Sequence, residues 1–439
     1  MTELAPITDL TLPERYADDA DVRAVISHLQ HGALPLLITG EAGTGKSTLI
    51  RYIRTCGAFP KAALLAPTGI AAINISGQTL HSFFRLPPRI IDEGALLGQR
   101  ANSLWKKVEI IIIDEVSMVR PDILDGMDLI LRKARRSQKP FGGVKMLFVG
   151  DFYQLPPVVR GQEADILERM GYDTPFAYSA KVFKRYPPRR INLTHIHRQK
   201  DERFRAILSS LRQGKYVNRA VEVLNEAGYG PHRAGVTPLV LTATNAAAAR
   251  YNTAALGEID AVSQKFIGES TGKFNVSGDK LPVPERLTLK AGARVMALRN
   301  DPQKRWVNGS LGTVLTLADN SVMVTFDHSE RTHEVESASW ETIKYVWNEA
   351  AERVDAEITG SYKQMPLNLA WAVTIHKAQG LTLEDVRVDM ERGAFAAGQT
   401  YVALSRATSL DGLSFSRALT PADIIVERRH AEYLKLDEA

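Results

Sequence analysis

LLITGEAGTGKSTLIRYIRT, residues 36–55, is a short apolar run, a glycine-rich turn and a stretch with helical spacing. Leu36 to Thr39 read as a buried strand, and the apolar Leu49, Ile50 and Ile53 predict a helix over 47–55. Between them Gly40, Gly45, Lys46 and Ser47 fill the pattern G-x-x-x-x-G-K-[ST] of a phosphate-binding loop. Glycines at 43 and 45 let the backbone curl so that its N–H groups point at phosphate oxygens. The start of the following helix adds a partial positive charge. Lys46 suits the β- and γ-phosphates, and the Ser47 hydroxyl suits Mg²⁺. The nucleotide cradle is thus Gly40, Gly43, Thr44, Gly45, Lys46, Ser47 and Thr48, with ATP and Mg²⁺ as the expected cofactors.

Such a loop needs a second metal anchor and a base for water. VEIIIIDEVSM, residues 108–118, supplies both. Val108 to Ile113, apolar but for Glu109, predicts a central parallel strand buried on both faces. Asp114 at its end is placed to hold Mg²⁺, and Glu115 to act as general base. The fold class is therefore α/β, built on a P-loop nucleotidase domain.

Composition agrees. The chain has 439 residues, 44% of them hydrophobic, with a net charge of +5, and its length allows roughly three domains. No apolar run approaches the ~18 residues of a membrane span, so a membrane is not an expected partner. The acidic N-terminus reads as neither a secretory signal nor a transit peptide. The single Cys56 excludes an intrachain disulfide and a cysteine zinc site, and a cytoplasmic, nucleoid-associated location is expected. The small positive charge is a weak pointer to a polyanion.

Further along come APTG (66–69), TLHSFF (79–84), GDFYQLPPV (150–158), HRQ (197–199), TIHKAQG (374–380) and YVALSRA (401–407). With the P-loop and DEVSM, in this order, the chain resembles superfamily 1 helicases, above all the Pif family of 5′-to-3′ DNA helicases, a RecD-related group, in its bacterial or phage type without long terminal extensions. The resemblance spans nearly the whole chain. It implies two RecA-like domains with flanking helices, ATP between them, a small wedge insert and a small antiparallel, SH3-like barrel insert. The expected boundaries are 1–190 for the first motor domain, with the wedge at about 85–107, and 191–439 for the second, with the barrel at about 281–364.

By the same resemblance Lys46, Glu115, Gln154, Arg198 and Arg406 are catalytic. Gln154 would sense the γ-phosphate, and Arg198 and Arg406 would be arginine fingers, a fitting use for a planar guanidinium. Gly380 would line the nucleotide cleft by close backbone approach. Single-stranded DNA would cross both motor domains over Thr68, Gly69, His81, Phe84, Thr244, Asn245, Asn308, Thr374, His376 and Lys377. His81 and one of Phe83 and Phe84 would stack on bases; the other phenyl would be core. The glutamine that reads adenine in the family is missing, since Arg23 stands near its place. The expected partners are single-stranded DNA and forked or tailed duplexes, with a monomer as the acting unit and contacts to single-strand-binding or replisome proteins. The alternatives are a DNA-dependent translocase that remodels protein–DNA complexes and a RecD-like subunit of a larger complex.

Overall fold

The computed structural model describes residues 19–434, apart from 33–34, 56–58, 93, 97–101, 160–161, 196–198, 200, 230–236, 275, 279–280, 304, 328 and 330. Arg198, Cys56 and part of the 85–107 segment lie outside the described residues. Strands Leu36–Gly40 (β1), Ala62–Ala66 (β2), Gln78–Thr79 (β3), Ile110–Ile113 (β4), Lys145–Val149 (β5) and Arg189–Leu193 (β6) form one parallel sheet, ordered β3-β2-β4-β5-β1-β6. The predicted strand over 108–113 begins only at Ile110. Four consecutive isoleucines there are all buried, because helices cover both faces of the sheet. The P-loop, Asp114 and Asp151 follow β1, β4 and β5, so one edge of the sheet collects them. Loops at the carboxyl ends of parallel strands are where open α/β sheets bind ligands.

After β6 a helix, Glu202–Gln213, opens a second α/β unit whose first strand is Leu239–Thr242 (β7). The chain then leaves it for a run of antiparallel strands: Ser263–Ile267 (β8), Glu269–Gly272 (β9), Arg286–Lys290 (β10), Arg294–Ala297 (β11), Leu311–Leu317 (β12), Ser321–Phe326 (β13), Thr332–Glu336 (β14), Ala338–Asn348 (β15), Arg353–Gln364 (β16) and Leu367–Leu369 (β17). Five of them make a sheet ordered β14-β13-β12-β11-β17. Alternation of buried and outward residues along β13 turns one face of this sheet to an apolar core. The chain returns as Ala372–Thr374 (β18), Val386–Asp389 (β19) and Leu413–Phe415 (β20), which join β7 in a parallel sheet ordered β18-β7-β19-β20. Antiparallel pairing thus starts at Ser263, before the change of texture near Leu281. Among the described residues no helix is long and apolar enough to cross a membrane.

The β15–β16 hairpin reaches back to the first unit. The Tyr345 hydroxyl accepts from the Leu64 N–H (3.4 Å), and the Tyr345 N–H donates to Gln78 Oε1 (3.0 Å). The C-terminal segment also returns: its short helix, Arg429–Tyr433, buries His430 against Phe176, with ring centroids 4.6 Å apart.

One expected DNA contact is overturned here. Phe84 is 0% exposed, edge-on to Phe83 at 4.8 Å and stacked on Trp105 at 6.3 Å. It has no face to offer a base. Phe83 is covered in turn by Tyr345, so both phenyls are core. Phe84→Ala should therefore lower unfolding free energy by about 3–5 kcal/mol in a denaturant titration. A loss under ~1 kcal/mol would show that the ring is not packed as described.

Candidate active site and nucleic-acid interface

The P-loop curls as its glycines require. Gly40 has φ +156°, and a Cβ there would stand 2.7 Å from Thr44 Oγ1 and 2.8 Å from the Leu193 carbonyl oxygen. Helix Lys46–Thr55 starts directly after Gly45 and buries Leu49, Ile50 and Ile53 beneath the sheet. Lys46 Nζ donates to the carbonyls of Gly40 and Glu41, each at 2.8 Å. Burial draws its pKa below the usual lysine range, against the pull of Asp151 and Glu115. Ser47 is exposed at the helix start.

Opposite the loop stand Asp114 and Glu115. The Glu115 N–H donates to Asp114 Oδ1 at 2.9 Å. Burial pushes both carboxyls up, and each also feels the opposing charge of Lys46. Glu115 sits in the left-handed region, φ 53° and ψ 45°, a strained backbone for a non-glycine residue beside reactive groups. Among the described residues no cluster of three or more His, Cys, Asp or Glu side chains suits a metal. Asp114 and Ser47 offer oxygens, the donors Mg²⁺ takes, and would hold that ion only together with substrate phosphates and waters.

The TIHKAQG turn closes the site from the second unit. Gln379 Nε2 donates to Glu115 Oε2 (3.1 Å) and to Gln154 Oε1 (3.2 Å). One amide therefore touches two of the residues singled out from the sequence. Gly380 owes its identity to a φ of +87°. Among the described residues beyond its chain neighbours, no heavy atom lies within 4 Å of where its Cβ would be, so the φ and not crowding by the protein is what favours glycine there.

Arg406 is 1% exposed, its guanidinium donating to the carbonyls of Val402 (2.9 Å) and Leu381 (3.4 Å) and to Ser405 Oγ (2.7 Å). It lies near enough to Glu115 to favour that group's ionised form. Gln199 brackets it, donating to the carbonyls of Ser405 (3.1 Å) and Ala407 (3.2 Å).

The remaining expected DNA contacts divide by geometry. Thr68 and Thr244 cap helices, accepting from the N–H groups of Ala71 and Ala247 at 3.2 Å each. Thr244 also donates to Glu391 Oε2 at 2.9 Å. Gly69 and Asn245 are the first residues of those helices, and Asn245 is exposed. Thr374 is buried, its hydroxyl accepting from the Lys377 N–H at 3.3 Å, so its side chain shapes the turn instead of facing solvent. His376 and Lys377 are exposed on that turn, as is Asn308 on the antiparallel unit, and His81 is half-buried. Sequence reading missed Arg212 and Tyr401, both buried beside Asp151.

The profile of the PIF1-like helicase family matches residues 19–222. The ATP-dependent DNA helicase Pif1 of Bdellovibrio bacteriovorus is 33% identical over 448 residues, covering 98% of this chain and 93% of that protein. The chain belongs to the PIF1-like helicase family. Human ATP-dependent DNA helicase PIF1 is 32% identical over 93% of this chain, which spans only 62% of the human protein. The crystal structure of Bacteroides sp Pif1 in complex with ADP-AlF4 is 35% identical, with a TM-score of 0.85, covering 97% of this chain and 96% of that one. The α/β architecture is that of the Pif1 structures, and the chain is an ATP-dependent DNA helicase by family.

Proposed function

We propose that this chain moves 5′-to-3′ on single-stranded DNA, driven by ATP hydrolysis, and opens duplexes ahead of it. The contact from Gln379 to both Glu115 and Gln154 carries the reading. The same short turn presents His376 and Lys377 outward, so one element touches the groups suited to hydrolysis and a surface suited to a phosphate backbone. Hydroxyls, amides and helix N-termini such as those of Thr68, Gly69, Thr244, Asn245 and Asn308 grip phosphates without reading bases.

In this reading Glu115 takes a proton from the attacking water while Gln154 orients it. The water oxygen bonds to the γ-phosphorus, the bond to the β–γ bridging oxygen breaks, and ADP leaves. Lys46 leaves its loop carbonyls for the phosphate oxygens, and Arg406, with Arg198, neutralises charge gathering on the γ-oxygens. Ser47 and Asp114 would hold Mg²⁺, which supplies fixed positive charge when bound. Because groups from both units meet in the cleft, hydrolysis depends on its closure. The Pif1 of Bacteroides has been solved bound to single-stranded DNA, and another similar structure concerns DNA unwinding at forked duplex DNA by two coordinating Pif1 helicases. We take one copy as the acting unit.

Duplexes with a 5′ or a 3′ single-stranded tail, incubated with ATP and Mg²⁺, test the polarity. Strand release is expected only from the 5′-tailed substrate. Release only from the 3′ tail would reverse the assignment, and release from neither would remove the helicase reading. Affinity for the tail should fall steeply with salt, as for phosphate-dominated contacts.

A further inference from the structure

Asp151 opens the loop that carries Gln154, and second-unit residues hold it. Arg212, near the end of helix Glu202–Gln213, donates to Asp151 Oδ1 at 3.0 Å and lies 3.9 Å from Glu41 of the P-loop. The Tyr401 hydroxyl donates to Asp151 Oδ2 at 3.5 Å and accepts from the Ala42 N–H of the P-loop at 3.2 Å. Asp151 in turn accepts from the Tyr153 N–H (3.2 Å) and from Gln154 Nε2 (3.5 Å). A circuit of polar contacts thus joins P-loop, Asp151 and Gln154 through two side chains of the other unit.

Packing follows the same path. Tyr153 and Leu155, on either side of Gln154, are buried in the second unit's apolar core with Phe204, Leu208 and Leu211. The Arg212 guanidinium lies 4.2 Å over the Tyr153 ring, and the His430 ring stands edge-on to that same ring with centroids 5.1 Å apart. Gly398, where the helix Gln399–Leu404 begins, has φ +73°, and a Cβ there would fall 2.3 Å from the Tyr153 carbonyl oxygen and 2.5 Å from that of Gln154. The helix bearing Tyr401 is seated on the backbone of the Gln154 loop.

We infer that Arg212 and Tyr401 are positioning residues: they lock Asp151, and through it Gln154, into the hydrolytic geometry only when the second unit is docked. The inference rests on the motor reading above. A buried Asp–Arg pair is poor evidence of stabilisation by itself, since desolvation offsets much of its attraction. A positional role explains why two such groups sit beside Gln154. A misplacement of about 1 Å at such a site costs on the order of 10²-fold in rate.

The test compares R212A, D151N, R212A/D151N and Y401F, measuring kcat and KM for ATP with saturating single-stranded DNA, and thermal midpoint. R212A and D151N should each lower kcat by at least ~10-fold while KM moves by less than ~3-fold, the pattern of a group acting in the transition state. The double variant should regain thermal midpoint relative to R212A, because it no longer buries a lone carboxylate. Its kcat should stay as low as that of the single variants, the losses being non-additive. Tyr401→Phe, which keeps its ring packing, should fold normally and still lose kcat. Recovery of kcat together with stability in the double variant, or normal kcat in Y401F, would overturn the inference and leave an ordinary structural ion pair. A wild-type chain with no DNA-stimulated hydrolysis would instead remove the motor reading.

Discussion

Lys46→Ala is expected to reduce ATP turnover by at least ~10²–10³-fold, the loss typical of removing one preorganised charge-stabilising donor. In the structure Lys46 Nζ rests on the carbonyls of Gly40 and Glu41, poised beside the loop and largely removed from water. Nothing else in the loop carries a positive charge. Alanine at the first residue of the helix is a good helix former, so the fold should persist. Single-strand binding should survive too, because His376, Lys377, Asn245 and Asn308 lie on other segments. Steady-state hydrolysis and a fluorescence-anisotropy titration with labelled oligonucleotide read the two properties separately. Equal loss of both would mean that the substitution unfolds the first unit.

Glu115→Gln should lower kcat by about 10²–10⁴-fold, the range of a lost general base. KM for ATP should change by less than ~3-fold, since the carboxylate acts on water and not on the bound nucleotide. Glutamine matches glutamate in size, and its carbonyl oxygen can still accept from Gln379 Nε2, so the link across the cleft survives. The backbone strain at φ 53° is also unchanged. Rapid-quench measurement of the first turnover, beside nucleotide binding, separates lost chemistry from lost binding. A near-normal first turnover would transfer the role of base to another group.

The parts of the site carried by contiguous residues were legible in the sequence. Strand, turn and helix around Gly40 to Thr48 form one local unit, and Asp114 and Glu115 follow directly on an isoleucine strand. Contacts that span the chain were not. Gln379 lies 264 positions from Glu115 in sequence, and no periodicity joins them. Arg212 was hidden among Arg203 and Arg205, yet it follows Leu208 by one helical turn, on the buried face of its helix. An arginine on an apolar stripe was the available signal. Phe84 was misread because two adjacent aromatics in a five-residue helix have no pattern that separates inside from outside. Trp105 and the β15–β16 hairpin, both remote in sequence, bury the pair. Arg198 falls outside the described residues, and its part in the cleft rests on the motif alone.

The returning C-terminal segment has a mechanical consequence. The polypeptide passes from first unit to second between β6 and the helix Glu202–Gln213, then comes back so that His430 packs on Phe176 and hydrogen-bonds Tyr178. A body hung from one flexible strand can tilt in any direction. One hung from two separated strands keeps a single easy rotation, about the line through its attachments. Any opening of the cleft that leaves His430 seated is therefore restrained at two separated places, and the Tyr345 contacts with Leu64 and Gln78 add a third. Such ties narrow the ways in which Gln379, Tyr401 and Arg212 can part from the first unit.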